Sequence, residues 1–485
     1  MYAHLHSQLE KLKGHRVLCI GDVMLDRFVY GAVERISPEA PIPVIRVLRE
    51  TTTMGGSGNV VRNLSTLGGC TDMVGVIGHD QAGYDLAELV ASMNQVSSYL
   101  LTDNSRPTTI KTRYIGGSQQ LLRADQESNL PISTQIEDQV LMRVRNALEG
   151  CQIVILSDYA KGVLTDRVVR EVITLCREQN KPVLIDPKGR DFSRYKNAFM
   201  LTPNRKELTE ATGLPVKTVE EAEAAARKLI IDHDLDGILA KLGGDGVCLV
   251  MRDKPAKHFH TTSKEVFDVS GAGDTVVATL ALAIAGGISL EDSAALSNIA
   301  GSIVVSKIGT AAISLQEMEK ELLHEQSRMD EDKIMSLAEV GDAAERWRKQ
   351  GFKIGFTNGV FDLLHPGHLS SINQSRAACD KLIIGLNSDT SVKRQKGEDR
   401  PIQNENARAA VLAALANVDG IVIFGDDTPM ELIKTIRPDT LVKGGNYTMD
   451  QVVGADEVKS WGGRVILADV VEGHSTSSTI ARLKG

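Results

Sequence analysis

Two histidines and one aspartate carry the clearest chemistry in this sequence. His365 and His368 stand three residues apart in His365-Pro-Gly-His368, just after Asn358-Gly359 breaks the apolar stretch Lys353-Ile-Gly-Phe356. The stretch reads as a short buried strand, and His365 to His368 open the helix after it. A helix start supplies free N–H groups and the positive end of a dipole, and Gly367 leaves the backbone open to an anion. Two imidazoles on one face of that first turn are placed to hold a phosphate and steady the charge that builds when a nucleotide phosphorus is attacked. Asp274 closes the glycine-rich turn Asp268-Val-Ser-Gly-Ala-Gly-Asp274 and precedes the apolar run Thr275 to Ala285, a buried helix. Gly271, Ala272 and Gly273 offer backbone N–H groups as an anion hole. Asp274 at the helix start is placed to take a proton from an alcohol attacking a γ-phosphate. An aspartate there also caps a helix, and the two roles are compatible.

Strands must deliver these groups. Arg16-Val-Leu-Cys-Ile-Gly-Asp22 reads as a first strand with Asp22 at its end, and Asp26 follows four residues later. Met54-Gly-Gly-Ser-Gly-Asn59 reads as a glycine-rich loop entering a helix, where small residues and the Asn59 amide suit a polyhydroxyl ligand. Gln152 to Leu156, Pro182 to Ile185, Met200 to Asn204 and Gly237 to Gly243 are apolar runs ending in polar residues, the pattern of parallel strands covered on both faces. Ligands of open α/β sheets collect outside such strand ends. Thr108 to Ile115 and Gln120 to Arg123, joined through Gly116-Gly117, read as a small hairpin lid that carries Lys111, Arg113 and Arg123.

Ser314 to Glu325 reads as a last amphipathic helix of the first half, and Gln326 to Lys333 as a polar linker. Leu337 to Gln350 opens a second alternating α/β region. Lys393, Arg394, Lys396 and Arg400 form a basic loop fit to clamp a triphosphate. Lys443, at the end of Asp439-Thr-Leu-Val-Lys443 before paired glycines, is a further phosphate contact.

At 485 residues the chain is too long for one ordinary domain. A net charge of −8 and 4% aromatics leave neither the basic field nor the stacking surface that nucleic acid requires. Six scattered cysteines without a C-x-x-C pair favour buried thiols over ligands or disulfides. The polar start lacks an apolar signal core, and the longest apolar run, Ala278 to Ile288, is too short for a bilayer, so a cytoplasmic protein with no membrane partner is expected.

The string from Phe356 to His368 resembles the T-x-G-x-F-D-x-x-H-x-G-H signature of the nucleotidyltransferases that include glycerol-3-phosphate cytidylyltransferase, through Thr357, Gly359, Phe361, Asp362, His365, Gly367 and His368. Gly473 to Ile480 with Arg482 resembles the S-S-T-x-x-R motif of the same enzymes. The resemblance implies that Thr357, Asn358, Gly359, Phe361, Asp362, Lys393, Arg400, Lys443, Ser477, Ser478 and Thr479 bind nucleotide.

Residues from about 11 to 318 are similar to the ribokinase-type PfkB carbohydrate kinases, through Gly55-Gly-Ser-Gly-Asn59 and Asp268 to Asp274. That likeness implies that Asp274 is the catalytic base and Gly271, Ala272 and Gly273 its anion hole. It places Asn204, Arg205, Lys206 and Glu207, with Lys241, Gly243 and Gly246, at the nucleotide, and Glu207 near Mg2+. Asp22, Asp26, Gly55, Gly56, Asn59 and Arg123 would face the sugar. K+ is a further candidate cofactor, although Val269 stands where the family carries Thr.

The expected fold is α/β: a ribokinase-like domain (1–318) with a parallel-rich sheet and small lid, a linker region (319–343), and a Rossmann-like nucleotidyltransferase domain (344–485). This order resembles the bifunctional enzymes of ADP-heptose synthesis in Gram-negative bacteria. The resemblance implies O1 phosphorylation of D-glycero-β-D-manno-heptose 7-phosphate by ATP, removal of the 7-phosphate by a separate phosphatase, and adenylyl transfer to the heptose 1-phosphate. Mg2+ in both sites and a homo-oligomer are expected with it. The alternatives are another sugar kinase fused to a CDP-alditol-type cytidylyltransferase, and a non-catalytic sugar-nucleotide sensor.

Overall fold

The computed structural model describes residues 2–117, 119–261, 268–307, 309–444 and 447–469. The chain divides into two compact units, Met1–Leu323 and His324–Gly485.

In chain order the strands of the first unit are β1 (Arg16–Gly21), β2 (Val23–Ile36), β3 (Pro43–Gly56), β4 (Cys70–Gly78), β5 (Val96–Asp103), β6 (Thr109–Gly116), β7 (Gln119–Gln126), β8 (Ile153–Ser157), β9 (Val183–Asp186), β10 (Met200–Leu201), β11 (Gly237–Lys241), β12 (Val247–Met251) and β13 (Lys257–Phe259). Nine of them form one sheet in the order β13-β12-β11-β10-β9-β8-β1-β4-β5. It is parallel except where β12 runs antiparallel to β11 and β13. The period of two along each strand builds two cores. Val17, Cys19, Ile153 and Ile155 point to the face covered by helices Ser57–Thr66, Ala272–Ala285 and Leu290–Val304. Leu18, Ile20, Val154 and Leu156 point to the face covered by helices Thr134–Leu148, Asp166–Glu178 and Val219–Asp232. Strand order reverses between β1 and β8, which opens the crevice where ligands of such sheets bind.

The lid is larger than the hairpin expected from sequence. β6 and β7 pair as read, but they extend a four-stranded sheet ordered β3-β2-β6-β7. Asp26 therefore lies inside strand β2, opposite Thr53 and Lys111. The glycine-rich loop is likewise no loop: β3 runs to Gly56 and the helix starts at Ser57. Gly56 turns the corner at φ +59°, and a Cβ on it would meet the Asp22 carbonyl oxygen at 2.4 Å. Only glycine fits there.

The second unit adds β14 (Ile354–Gly359), β15 (Lys381–Asn387), β16 (Gly420–Phe424), β17 (Thr440–Gly444) and β18 (Arg464–Ala468). They form a fully parallel sheet ordered β16-β15-β14-β17-β18, in which the strand order reverses between β14 and β17. Ile383 packs toward helices Leu337–Lys349 and Met430–Ile436, and Leu382, Ile384 and Leu386 toward helices Pro366–Ala377 and Glu405–Ala413.

Two sequence readings of irregular chain give way to helix. Residues 326–331 continue the helix Leu315–Glu331, supported by i,i+4 bonding of Gln326 to Asp330 and pairing of Arg328 with Glu325. Lys393, Arg394 and Lys396 lie on helix Asp389–Lys396, capped by Ser388, and only Arg400 is on the loop after it. Neither segment has an apolar stripe strong enough to signal a helix. Among the described residues no helix is long and apolar enough to cross a membrane, and all six cysteines are free thiols.

Candidate active sites

The first unit gathers the ends of β8, β9, β10 and β11 around the start of helix Ala272–Ala285. They enclose a cleft of about 180 Å³ lined by Asp158, Tyr159, Asp186, Lys188, Asn204, Glu207, Lys241, Gly271, Gly273 and Asp274. Gly271 adopts φ +81°, and a Cβ there would strike the Asn59 Nδ2 at 2.6 Å. The helix is capped by this glycine, so Asp274 sits in the first turn and its carboxylate is free of capping duty. Asp274 is 4% exposed. Its Oδ2 accepts from Asn59 Nδ2 at 2.8 Å and its Oδ1 from the Tyr159 hydroxyl at 2.5 Å. Burial pushes its pKa up to about 6; the bonds from Tyr159 and Asn59 oppose the rise, Asp186 adds to it and Lys241 opposes it. A buried carboxylate titrating near neutrality is suited to accept a proton.

Lys241 Nζ pairs with Asp186 Oδ1 at 2.5 Å and lies beside Gly273, where a Cβ would meet it at 3.2 Å. An ammonium is thus added to the backbone anion hole. Asn204 and Glu207 form a reciprocal capping box on helix Arg205–Thr212, and Glu207 also pairs with Lys188 at 3.1 Å. Arg205 turns away onto the carbonyls of Leu242, Val216 and Lys217, bracing the turn that contains Gly243 and Gly246. Lys206 is exposed and pairs with Glu210 at 3.8 Å. Neither side chain lines the cleft.

Asp22 is buried and spends both oxygens on backbone: Oδ2 accepts from the N–H groups of Tyr159 and Lys161, Oδ1 from that of Val163. Asp26 accepts from Arg113 Nη1 at 2.6 Å, and Gly55 leaves room for its carboxylate. Lys111 sits with its ammonium 5.9 Å from the Tyr159 ring, and burial lowers its pKa against the pull of Asp26. Arg123, opposite Arg113 on the exposed strand β7, pairs with Asp125. The sequence reading placed Tyr159, Asp186 and Lys188 in polar clusters at strand ends and gave them no individual role. Their only signal was position at the carboxyl ends of strands.

In the second unit the histidines stand at the sheet's reversal point. His365 is the N-cap residue of helix Pro366–Ala377, with proline at the first helical position. The two imidazoles stack with centroids 3.8 Å apart, and Phe361 approaches His368 at 5.1 Å. Phe361 is held at φ +46°. Burial and the neighbouring His365 lower the pKa of His368 to about 4, so its ring is neutral at pH 7. From β17, Lys443 Nζ donates to Asn358 Oδ1 at 2.8 Å, and burial lowers its pKa to about 8. Thr357 is buried in β14, and a Cβ on Gly359 would meet the Phe361 ring at 3.0 Å.

Asp362 accepts from Arg400 Nε at 2.7 Å and from the N–H groups of Ile402 and Gln403, so it fixes the loop that follows the basic helix. Lys393 lies 3.9 Å from Glu398, and Arg394 pairs with Asp427 at 3.1 Å. Ser477, Ser478 and Thr479 lie outside the described residues.

Arg408 is a further residue to which the sequence reading gave no role. Among the described residues it heads the fully buried side chains by size, and it donates to the carbonyls of Val360, Asn387 and Gln403 while pairing with Asp389 at 2.6 Å. It ties the exits of β14 and β15 together. Arg408→Met leaves Asp389 and three carbonyls without this donor, and loss of a hydrogen bond to a charged group costs about 1.5–3 kcal/mol. A lowered urea midpoint, read by fluorescence of Trp347 and Trp461, checks this.

The pfkB family carbohydrate kinase pattern matches residues 15–318, and the cytidylyltransferase-like pattern matches residues 356–483. The bifunctional protein HldE of Paramagnetospirillum magneticum is 50% identical over 481 residues, covering 99% of each chain. That of Rhodospirillum rubrum is 52% identical, covering 97% of this chain and 95% of its own. The tetrameric inhibited form of phosphofructokinase-2 from Escherichia coli superposes with a TM-score of 0.54 at 19% identity, over 64% of this chain and 99% of its own. The same enzyme in complex with potassium gives 0.54 at 20% identity over the same shares. Those structures show that the first unit has the fold of such kinases. With the anion-hole helix in one unit, the stacked histidines in the other, and relatives matched from end to end, this chain belongs to the HldE family of bifunctional enzymes, a carbohydrate kinase joined to a nucleotidyltransferase.

Proposed function

We propose that the first unit phosphorylates D-glycero-β-D-manno-heptose 7-phosphate at O1 with ATP. After a separate phosphatase removes the 7-phosphate, the second unit transfers AMP from ATP to the heptose 1-phosphate, releasing pyrophosphate. The ADP-heptose so formed would supply a lipopolysaccharide inner core. The observation that carries this reading is the match to bifunctional HldE proteins along 99% of both chains.

In the first reaction the sugar O1 hydroxyl gives its proton to Asp274 as the oxygen attacks the γ-phosphorus. The N–H groups of Gly271 to Gly273 and the Lys241 ammonium take up charge on the transferred phosphoryl oxygens. In the second, an oxygen of the sugar phosphate attacks the α-phosphorus. The neutral His368 ring, His365 and the helix start donate to the oxygens that gain charge there. Glu207, an oxygen donor beside the cleft, fits Mg2+, which prefers oxygen ligands and supplies charge neutralisation at the phosphates when bound. Potassium was captured in a phosphofructokinase-2 structure, and K+ is a candidate activator here. We further propose a homo-oligomer, supported by the exposed Val33, Ile36, Val47, Leu48 and Leu122 of the lid strands.

Incubation with ATP and a panel of sugar phosphates, read by mass, tests the reading. A heptose bisphosphate and an ADP-heptose are the expected products; exclusive use of CTP with an alditol phosphate would replace it. The lid cations supply a sharper check. Arg113→Ala and Lys111→Ala should raise the KM for the sugar 7-phosphate about tenfold or more, since hydrogen bonds to charged groups are worth about 1.5–3 kcal/mol. The KM for ATP in the second reaction should stay unchanged.

A further inference from the structure

The loop that leaves β8 is built to deliver one side chain. Asp22 accepts from its N–H groups at residues 159, 161 and 163, and Asp158 Oδ1 accepts from that of Ala160, which is held at φ +55°. The fixed loop projects the Tyr159 hydroxyl onto Asp274 Oδ1, while Asn59 holds Oδ2 from a different element. We propose that Tyr159 is a positioning residue for phosphoryl transfer: its hydroxyl, with the Asn59 amide, fixes the plane of the Asp274 carboxylate and keeps it ionised to receive the proton of the sugar hydroxyl. This inference rests on Asp274 being the base of the first reaction.

The geometry leaves the base competent. A carboxylate offers about four lone-pair sites, and two are used, so each oxygen keeps one for the incoming hydroxyl. Tyr159 retains its own proton throughout, because burial and the adjacent Asp274 raise its pKa well above the usual phenol value. The proton balance is therefore simple: the sugar hydroxyl loses a proton, Asp274 gains it, and Tyr159 donates a hydrogen bond before and after. The other charged groups around this pair come from several strands. Asp186 and Lys241 face Asp274 from β9 and β11, and Cys19 lies behind it on β1. Asp26 and Lys111 face Tyr159 from β2 and β6. None of them replaces the hydroxyl on Oδ1.

Tyr159→Phe in the full chain removes that bond and keeps the ring. Losing a hydrogen bond to a charged group is expected to move the acid limb of the kinase kcat profile up by about one to two pH units. The kcat at pH 6 should fall about five- to fiftyfold, more than at pH 8, with the KM for sugar phosphate within twofold. Adenylyl transfer by the same protein reports that the chain is intact. The position of the limb does not depend on the fraction of active enzyme, so partial misfolding cannot imitate the shift. Incorporation of 3-fluorotyrosine at 159, a nearly isosteric and stronger donor, should move the limb the opposite way. An unmoved limb with kcat within twofold, or a change confined to KM, overturns the inference. If Asp274→Asn keeps full kinase activity, the assignment of the base itself falls instead.

Discussion

Asp274→Asn is expected to lower sugar phosphorylation about 10²- to 10⁴-fold, the usual contribution of a positioned general base, and to leave adenylyl transfer from supplied sugar 1-phosphate unchanged. The amide is the same size and still meets Asn59 and Tyr159, but it cannot take the proton. The unmodified enzyme carries a pH signature of the same group. The pKa of Asp274 is raised to about 6, and the base works ionised, so phosphorylation is full well above that pH and is lost as pH falls through it. The variant's residual rate should lack this limb. Both rates are measured on one preparation, so the second reaction guards against misfolding. Loss of both in folded protein would show that the sites are not independent.

His365→Ala and His368→Ala should each lower adenylyl transfer roughly 10²- to 10³-fold, the cost of removing one electrostatic donor from a transition state. Sugar phosphorylation should continue, so the sugar bisphosphate accumulates. Because His368 is neutral down to about pH 4, its titration lies below the kinase limb. Between pH 7 and 5 the first reaction should weaken through Asp274 while His368 causes no matching loss in the second. Mixing an Asp274 variant with a histidine variant, together with a sugar-bisphosphate phosphatase, should restore the whole sequence in one tube. A histidine variant that stops both reactions while folded would contradict the assignment.

What could be read in advance was local in sequence. His365 and His368 share one helical turn, and Asp274 follows its own glycine turn by a single residue, so spacing alone placed them at helix starts. What could not be read was assembled across the sheet. Tyr159 meets Asp274 over 115 positions, and Lys241 meets Asp186 over 55, through strand ends whose order no local pattern encodes. The lid failed for a related reason. β2 and β3 are stabilised by pairing over their length and with β6, and their mixed apolar and charged residues carry no clean alternation. Asp22 had the right neighbourhood but a different use, since its oxygens hold the Tyr159 loop. Arg408 looked like any helix-surface arginine until Asp389, two strand-exit carbonyls and that of Gln403 closed around it.

The cleft of the first unit also has a charge balance of its own. Four carboxylates line it, from Asp158, Asp186, Glu207 and Asp274, against two ammonium groups, from Lys188 and Lys241, and both ammoniums are already paired. A bare nucleotide polyanion entering there would meet an excess of like charge and two cations whose charge is already shared with carboxylates. A triphosphate accompanied by divalent cations is therefore expected to bind in this cleft more tightly than one that arrives alone, which nucleotide titration with and without Mg2+ checks.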